Sequence, residues 1–475
     1  MTISPVGFVF IIIAILVITR KDRQVNMLVF CTVTDIFLEA GYFMKYGDAI
    51  VYFSDFTQKF FILFCLIAFV FKRFRLSPIY IWLNLCYIIP ILFLVIFPSE
   101  TLVADGVTGI WDDIILTKEA SAEYPTITGN VLRYTNRFIF ATFIALFVYE
   151  SFEIDHFKRY LFKLNGIVNI FLLLGLVEIF VKVIINEGAL WGTSLKYLFG
   201  YTESTYIYEN RIRGDTVELA LFTRESSHYV FSLLLCLFIN IATNKWKGKT
   251  NVINAFTFLC IMIMLLSTSF SMILFLSAFL FVYLLYRWTI LCPPTMKREI
   301  TSLFLFIFFL SSSATFFLIS NSDGFVIGRL INLTNQLDGL LNFSGTYDGS
   351  LGDSSTFIRI YSVIMTLNAF VSRPLFGISL GAAYCHGATA MLLSGIGIVG
   401  VYSLIRFYFF YVTVYKRFII KKLSFISAIM VYLIVNLLNS LELKPFCNST
   451  LIAVSICFCV IFSYKNKRLT NNKII

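Results

Sequence analysis

Apolar residues run through this chain in long stretches rather than at the spacing of an amphipathic helix or a half-buried strand. Segments such as Phe8–Thr19 and Leu303–Phe309 are apolar on every face, so they offer no polar side to water. Runs of roughly 20 residues recur from end to end, the length at which a helix crosses a hydrocarbon core of about 30 Å. The period-two alternation of an outer-membrane barrel strand is absent. The pattern predicts an all-α polytopic integral membrane protein, a bundle of about 11–14 transmembrane helices forming one transmembrane domain over residues 1–475.

The polar breaks between the runs set the expected topology. Basic residues cluster at Arg20–Arg23, Lys72–Arg75, Lys158–Lys163, Lys245–Lys249, Arg287–Arg298, Lys416–Lys422 and Lys465–Lys473. Such clusters mark cytoplasmic connections, and Trp246 and Trp288 beside two of them are interfacial anchors. The first run, Ile3–Thr19, has no basic residue before it and "RKDR" after it, the reverse of a cleavable signal peptide. It reads as an uncleaved span with an outer N-terminus, and alternation leaves the C-terminus inside. The outer connections are the long ones: 98–130, 186–215, and a late one over 321–385. Loops of that length carry function or are disordered, so function is expected on the outer face. Within the third, Asp353, Ser354 and Ser355 are N-cap candidates for a helix that Pro374 stops. That helix is expected to lie at the outer interface or against the bundle.

Composition sharpens this picture. The 475 residues are 59% hydrophobic and 14% charged, with mean hydropathy +0.84, and a soluble domain carries nearly twice that share of charge. The net charge of +11 invites a nucleic-acid reading, but its confinement to short clusters between spans argues for membrane topology and no nucleic-acid partner. The ten cysteines lack metal-ligand spacing and read as small hydrophobes; the three histidines, His156, His228 and His386, form no zinc pattern. No metal and no cofactor is expected.

Candidate chemistry lies where charge interrupts the apolar runs. "LFTRESSHYVFSLLLCLFIN" places Arg224, Glu225 and His228 at the outer end of a predicted span, although a charge at a helix centre costs about 2.5–3.5 kcal/mol on insertion scales. Helical spacing would put all three on one face, with Arg211 and Arg213 just upstream. A depth-fixing charge cluster is the plainer reading of that motif taken alone. Further on, Arg359 and Arg373 lie fourteen residues apart and return to one helical face, turned either toward a shared cavity or toward lipid headgroups. "LFGISLGAAYCHGATAMLLSGIGIVG" follows, with glycines that permit close approach and His386 opening the next span at the same expected depth as His228.

These motifs, in this order, resemble the O-antigen polymerase and ligase superfamily of bacterial surface-polysaccharide assembly, and more closely its polymerase branch (Wzy-type). The resemblance rests on Arg213-Gly214, then Glu225-Ser226-Ser227-His228, then Ser355, Arg359, Pro374-Leu375-Phe376-Gly377, His386 and Gly397–Gly400. Ser226 stands where the family has proline, Gly387 where the ligase branch has asparagine, and Gly395 where a glutamate often precedes the last glycine pair. The resemblance implies a GT-C-like bundle in the bacterial inner membrane. It implies polymerisation of undecaprenyl-pyrophosphate-linked repeat units at the periplasmic face, with a chain-length regulator and a flippase as partner proteins.

That chemistry suits the residues. Transfer of the chain to an acceptor sugar hydroxyl expels a pyrophosphate, so positive charge is needed where negative charge develops, and arginine supplies it bidentately. Arg213, Arg224, Arg359 and Arg373 are the expected pyrophosphate and sugar ligands. The hydroxyl needs a base; Glu225 is preferred, with His386 and His228 as the other candidates. Two rivals stay open: an O-antigen ligase sharing the chemistry, and a lipid-linked oligosaccharide flippase. A secondary transporter would show paired broken helices or an internal repeat, and the sequence pattern displays neither.

Overall fold

The computed structural model describes residues 2–36, 38, 41–46, 49–70, 78–104, 122–152, 154–200, 212–213, 216–217, 219–222, 226–247, 254–266, 354–383, 385 and 387–413. The described chain is mostly helical. Its helices are α1 (Pro5–Thr19), α2 (Arg23–Ile36), α3 (Phe53–Val70), α4 (Pro78–Ile96), α5 (Gly129–Ser151), α6 (Ile154–Ile179), α7 (Gly188–Phe199), α8 (Ser226–Trp246), α9 (Ala255–Leu266), α10 (Ser354–Ser372) and α11 (Ala388–Thr413). A π-helical turn, Phe180–Ile184, continues α6.

Two helical stretches, Lys158–Ile184 and Thr389–Phe407, are long and apolar enough to cross a membrane, and shorter apolar helices include Pro5–Thr19 and Tyr80–Ile96. Large apolar residues stay bare on the outer sides of these helices. Phe8, Ile12 and Ile15 stand out from α1, Leu85, Leu92 and Val95 from α4, and Ile170, Leu173 and Val177 from α6. Water would penalise such faces, so they call for an apolar surround. The buried sides form one large apolar cluster that includes Phe10, Phe61, Tyr87, Phe147, Leu172, Tyr229, Cys260 and Phe407. All six described cysteines are buried in it or beside it, as small hydrophobes should be.

The two ends of the bundle differ in chemistry. Ser4 caps α1 by accepting from the Gly7 amide at 3.1 Å, with Pro5 at the first helical position where its missing N–H costs nothing. The same serine hydroxyl donates to the Tyr42 carbonyl, at 2.9 Å. This end carries a small antiparallel sheet, β1 (Thr2–Ile3), β2 (Tyr42–Tyr46) and β3 (Ala49–Tyr52), paired in that order. At the far end of α1, Asp22 pairs with Arg159, and Lys163 donates to Asn26 at 2.6 Å. Lys247 lies 5.2 Å from the centre of the Phe162 ring. Three of the basic clusters, around residues 20–23, 158–163 and 245–249, thus meet at one end.

Two further two-stranded pairs occur, β4 (Val103–Ala104) with β5 (Ala122–Glu123) and β6 (Ile212–Arg213) with β7 (Thr216–Val217). The all-helical expectation misses these strands. They are two to five residues long and sit in connections, too short to impose a period-two signal. The helix expected after Asp353 is present as α10, and it stops at Ser372, two residues before Pro374.

Candidate functional site

The first motif is built around α6. In "GLVEIFVKVIIN" the regular helix gives way to the π turn; Glu178 lies in the last turn of the regular helix and Lys182, four residues on, inside the π turn. Single π turns inside α-helices concentrate at functional positions, because the widened turn re-aims side chains. The Lys182 ammonium lies 2.8 Å from Glu178 Oε1, with side chains only 4% and 1% exposed. Both atoms of the carboxylate are engaged. Oε1 accepts from the amides of Ala220 (3.1 Å) and Leu221 (3.0 Å), and Oε2 accepts from Leu221 as well (3.0 Å). The penalty for burying each ion, several kcal/mol, is offset only because every partner is in place.

The turn held in this way is strained. Leu221 adopts φ 43°, a left-handed conformation that costs a non-glycine residue about 1–3 kcal/mol unless its surroundings enforce it. The next residue, Phe222, packs its ring on Phe199 at 4.8 Å and on Phe171 at 6.3 Å. Tyr229, in the first turn of α8, packs on the same Phe171 ring at 5.8 Å. Gly175 makes room for it, since a Cβ there would overlap the Tyr229 hydroxyl. Phe222 and Tyr229 therefore both rest on one aromatic ring of α6.

Of the expected site residues, Arg224, Glu225 and His386 lie outside the described residues. His228 falls in the first turn of α8, Arg213 in β6 and Arg359 inside α10, each placed by its backbone. The helix begins at Ser226, after Arg224 and Glu225, so the shared-face expectation for these three falls on residues outside the described ones. Arg373 has a defined role. It lies just past the end of α10, and its Nη2 donates to the carbonyls of Phe97 and Pro98, the latter at 2.8 Å. Those carbonyls close the end of α4, where a cation also complements the helix dipole. Its buried Nη1 has no hydrogen-bond partner among the described residues.

The second motif forms an interrupted helix. Gly397 inside α11 takes φ 61°, ψ −174°, which breaks the helical ladder. The loop after α10 fills the break. Ile378 and Ser379 donate to the carbonyls of Ser394 and Gly395 at 2.7 and 3.0 Å, while Ile398 and Val399 donate to Pro374 and Leu375 at 2.8 and 3.2 Å. The approach demands glycine on both sides: a Cβ at Gly377 would overlap the Ser394 carbonyl, and one at Gly397 the Leu375 carbonyl. Ser379 is buried at φ 86°, and its hydroxyl has no partner among the described residues. The close-approach role expected of this glycine run is what the backbone displays.

No family model matches this chain, and no curated protein matches it.

The two motifs sit on different helix pairs, the first on α6 and α8, the second on α10 and α11. One buried cluster joins them, containing Tyr229 and Val230 from the first and Leu380, Cys385 and Met391 from the second. Among the described residues no group of His, Cys, Asp and Glu side chains is arranged to hold a metal. Glu178 and Lys182 are the residues that motif and spacing do not single out. Their signal is nonetheless in the chain, because an i, i+4 Glu–Lys pair inside an apolar run carries the same insertion penalty that draws attention to Arg224.

Proposed function

We propose that this protein is a multi-span enzyme of the bacterial inner membrane that polymerises undecaprenyl-pyrophosphate-linked repeat units of a surface polysaccharide at the periplasmic face. The observation that carries the reading is the turn Leu219–Phe222. A buried carboxylate holds it at the end of the apolar helices opposite the basic clusters, and it leads directly into Arg224, Glu225 and His228. Ionisable residues in an apolar run mark a site by default, because each carries an insertion penalty. The bare apolar faces of α1, α4 and α6 suit contact with lipid, and the clustered basic residues suit the cytoplasmic side.

In this reading the hydroxyl of the acceptor sugar attacks the anomeric carbon of the growing chain. The bond from that carbon to the pyrophosphate oxygen breaks, and undecaprenyl pyrophosphate leaves with the electron pair. Glu225 takes the hydroxyl proton, with His386 as the alternative base, while Arg213, Arg224, Arg359 and Arg373 hold the departing charge. Arg373 has one terminal nitrogen committed to the end of α4, so Nη1 is the atom it offers.

Removing the gene tests this directly. Surface glycan should carry single repeat units while export continues. Lipid-linked polymer that never reaches lipid A-core would identify a ligase instead. Accumulation of lipid-linked units on the cytoplasmic side would identify a flippase. That transporter-class reading has one observation in its favour, the break at Gly397 in α11, since interrupted helices at membrane depth are a transporter device.

A further inference from the structure

We propose that Thr135 and Ser379 bind the sugar of a glycosyl phosphate whose phosphate is held by Arg373. The proposal deepens the functional reading and rests on it only for the source of that ligand. Three polar groups with no hydrogen-bond partner among the described residues carry it: the Thr135 hydroxyl, the Ser379 hydroxyl and the buried Nη1 of Arg373. Thr135 is 5% exposed and Ser379 1%, so bulk water does not serve their hydroxyls. A buried polar group left unmet costs stability, and such a cost is retained where a ligand supplies the partner.

Packing gathers the three at one end of the bundle. Leu94 of α4, Val131 of α5, Ala369 of α10, and Ile378 and Ala382 of the following loop share one small buried cluster. Thr135 lies one turn beyond Val131 on the same side of α5, and Ser379 directly follows Ile378. Arg373 lies one turn past Ala369, to whose carbonyl its amide donates at 3.3 Å. The loop also abuts α5, since a Cβ at Gly381 would overlap the Asn130 carbonyl and the Tyr134 ring. The levels agree as well. The Tyr87 ring of α4 lies 5.4 Å from Phe138 of antiparallel α5, and the Trp82 indole donates to Ser403 of antiparallel α11 at 3.0 Å. Counted at equal rise from those contacts, Thr135 and Gly395 both come level with Pro90 of α4. Gly395 is the residue whose carbonyl accepts from the Ser379 amide. The two hydroxyls thus share one depth, and the Arg373 guanidinium lies above them at the end of α4.

These groups match a sugar joined to a phosphate. A hydroxyl donates one hydrogen bond and accepts others, as each sugar hydroxyl does, and it brings no charge to repel the phosphate. A guanidinium nitrogen takes the oxyanion. Ser379 adds a second sign: its φ of 86° is a left-handed conformation for a non-glycine residue, a strain that gathers at ligand sites.

The test titrates the full chain, in phosphatidylcholine nanodiscs, with inorganic phosphate and with the 1-phosphates of glucose, galactose and N-acetylglucosamine. At least one sugar phosphate should bind about tenfold more tightly than phosphate. Thr135→Val and Ser379→Gly should each lose about that factor and keep the affinity for phosphate, whereas Arg373→Gln should weaken both. Neither hydroxyl variant should lower the thermal midpoint, because valine removes an unmet polar group and glycine relieves the left-handed strain. Wild-type affinity in both hydroxyl variants overturns the proposal, as does the absence of any preference for a sugar phosphate. A lowered thermal midpoint in both overturns it too, by giving the hydroxyls a purely structural role. Glycerol 1-phosphate binding as tightly as the sugar phosphates would identify a lipid-headgroup site and overturn the sugar assignment. If the wild-type protein makes no polymer, the proposed function fails, yet the titration still decides the role of Thr135 and Ser379.

Discussion

Among the described residues, two places interrupt a helix among apolar neighbours, and they satisfy the freed backbone groups by opposite means. At the end of α6, charge does it: Glu178 and Lys182 form a buried pair, and the carboxylate accepts the amides of the adjoining turn. In α11, shape does it: glycines let a loop close enough for backbone to bond backbone across the break at Gly397. Both solve the same problem, since an orphaned N–H or C=O in an apolar surround costs several kcal/mol. The difference lies in what each leaves adjustable. The glycine joint is neutral and steric, so it is rigid. The charged joint depends on two opposite charges and on three donors, so it can be set by its neighbours.

That contrast breaks most sharply at Glu178. Glu178→Leu removes the carboxylate paired with the buried Lys182 ammonium and should destabilise the protein by about 3–5 kcal/mol, read from thermal unfolding in detergent. Next comes Gly397→Ala, which forces a side chain into a left-handed conformation for about 1–3 kcal/mol. Overlap with the Leu375 carbonyl adds to that loss, and neutralising the charged joint should not rescue it.

Removing both charges should be gentler than removing one. E178M/K182M removes both members of the ion pair together and the carboxylate that accepts from the Ala220 and Leu221 amides, a loss of about 1–3 kcal/mol, and a double-mutant cycle against the single variants should show strong coupling. The smallest effect belongs to the exposed counterpart of the buried pair. Asp22→Asn at the basic end removes the pairing with Arg159 and Lys163, whose side chains are 41% and 40% exposed. It should shift stability by less than about 1 kcal/mol, and less still in high salt. A shift as large as that of Glu178→Leu would mean that the two ends are not different in kind.

Much of the fold is legible in the order of residues alone. The apolar runs announce helices, and α1, α4 and α8 fall where the runs place them. The stop at Pro374 and the close approach at the glycine run follow from the steric properties of two residue types. The small sheets are not legible, because strands of two to five residues leave no periodicity. Glu178 and Lys182 stand in plain view as charges in an apolar run, yet nothing local says which groups they meet.

Local chemistry determined where the apolar helices form: a helix satisfies its own backbone, so an apolar run of sufficient length decides its element without help from distant residues. The same holds for the ends of the helices, where capping serines, prolines and basic clusters act within a turn or two. Tertiary structure alone decided where the irregular backbone is stabilised. The Glu178 carboxylate finds its amides more than forty residues away, and the Gly397 break finds its partners in a separate loop. Those bonds form only after packing brings the helices together, because an unpaired polar group in an apolar surround has no partner until another segment supplies one.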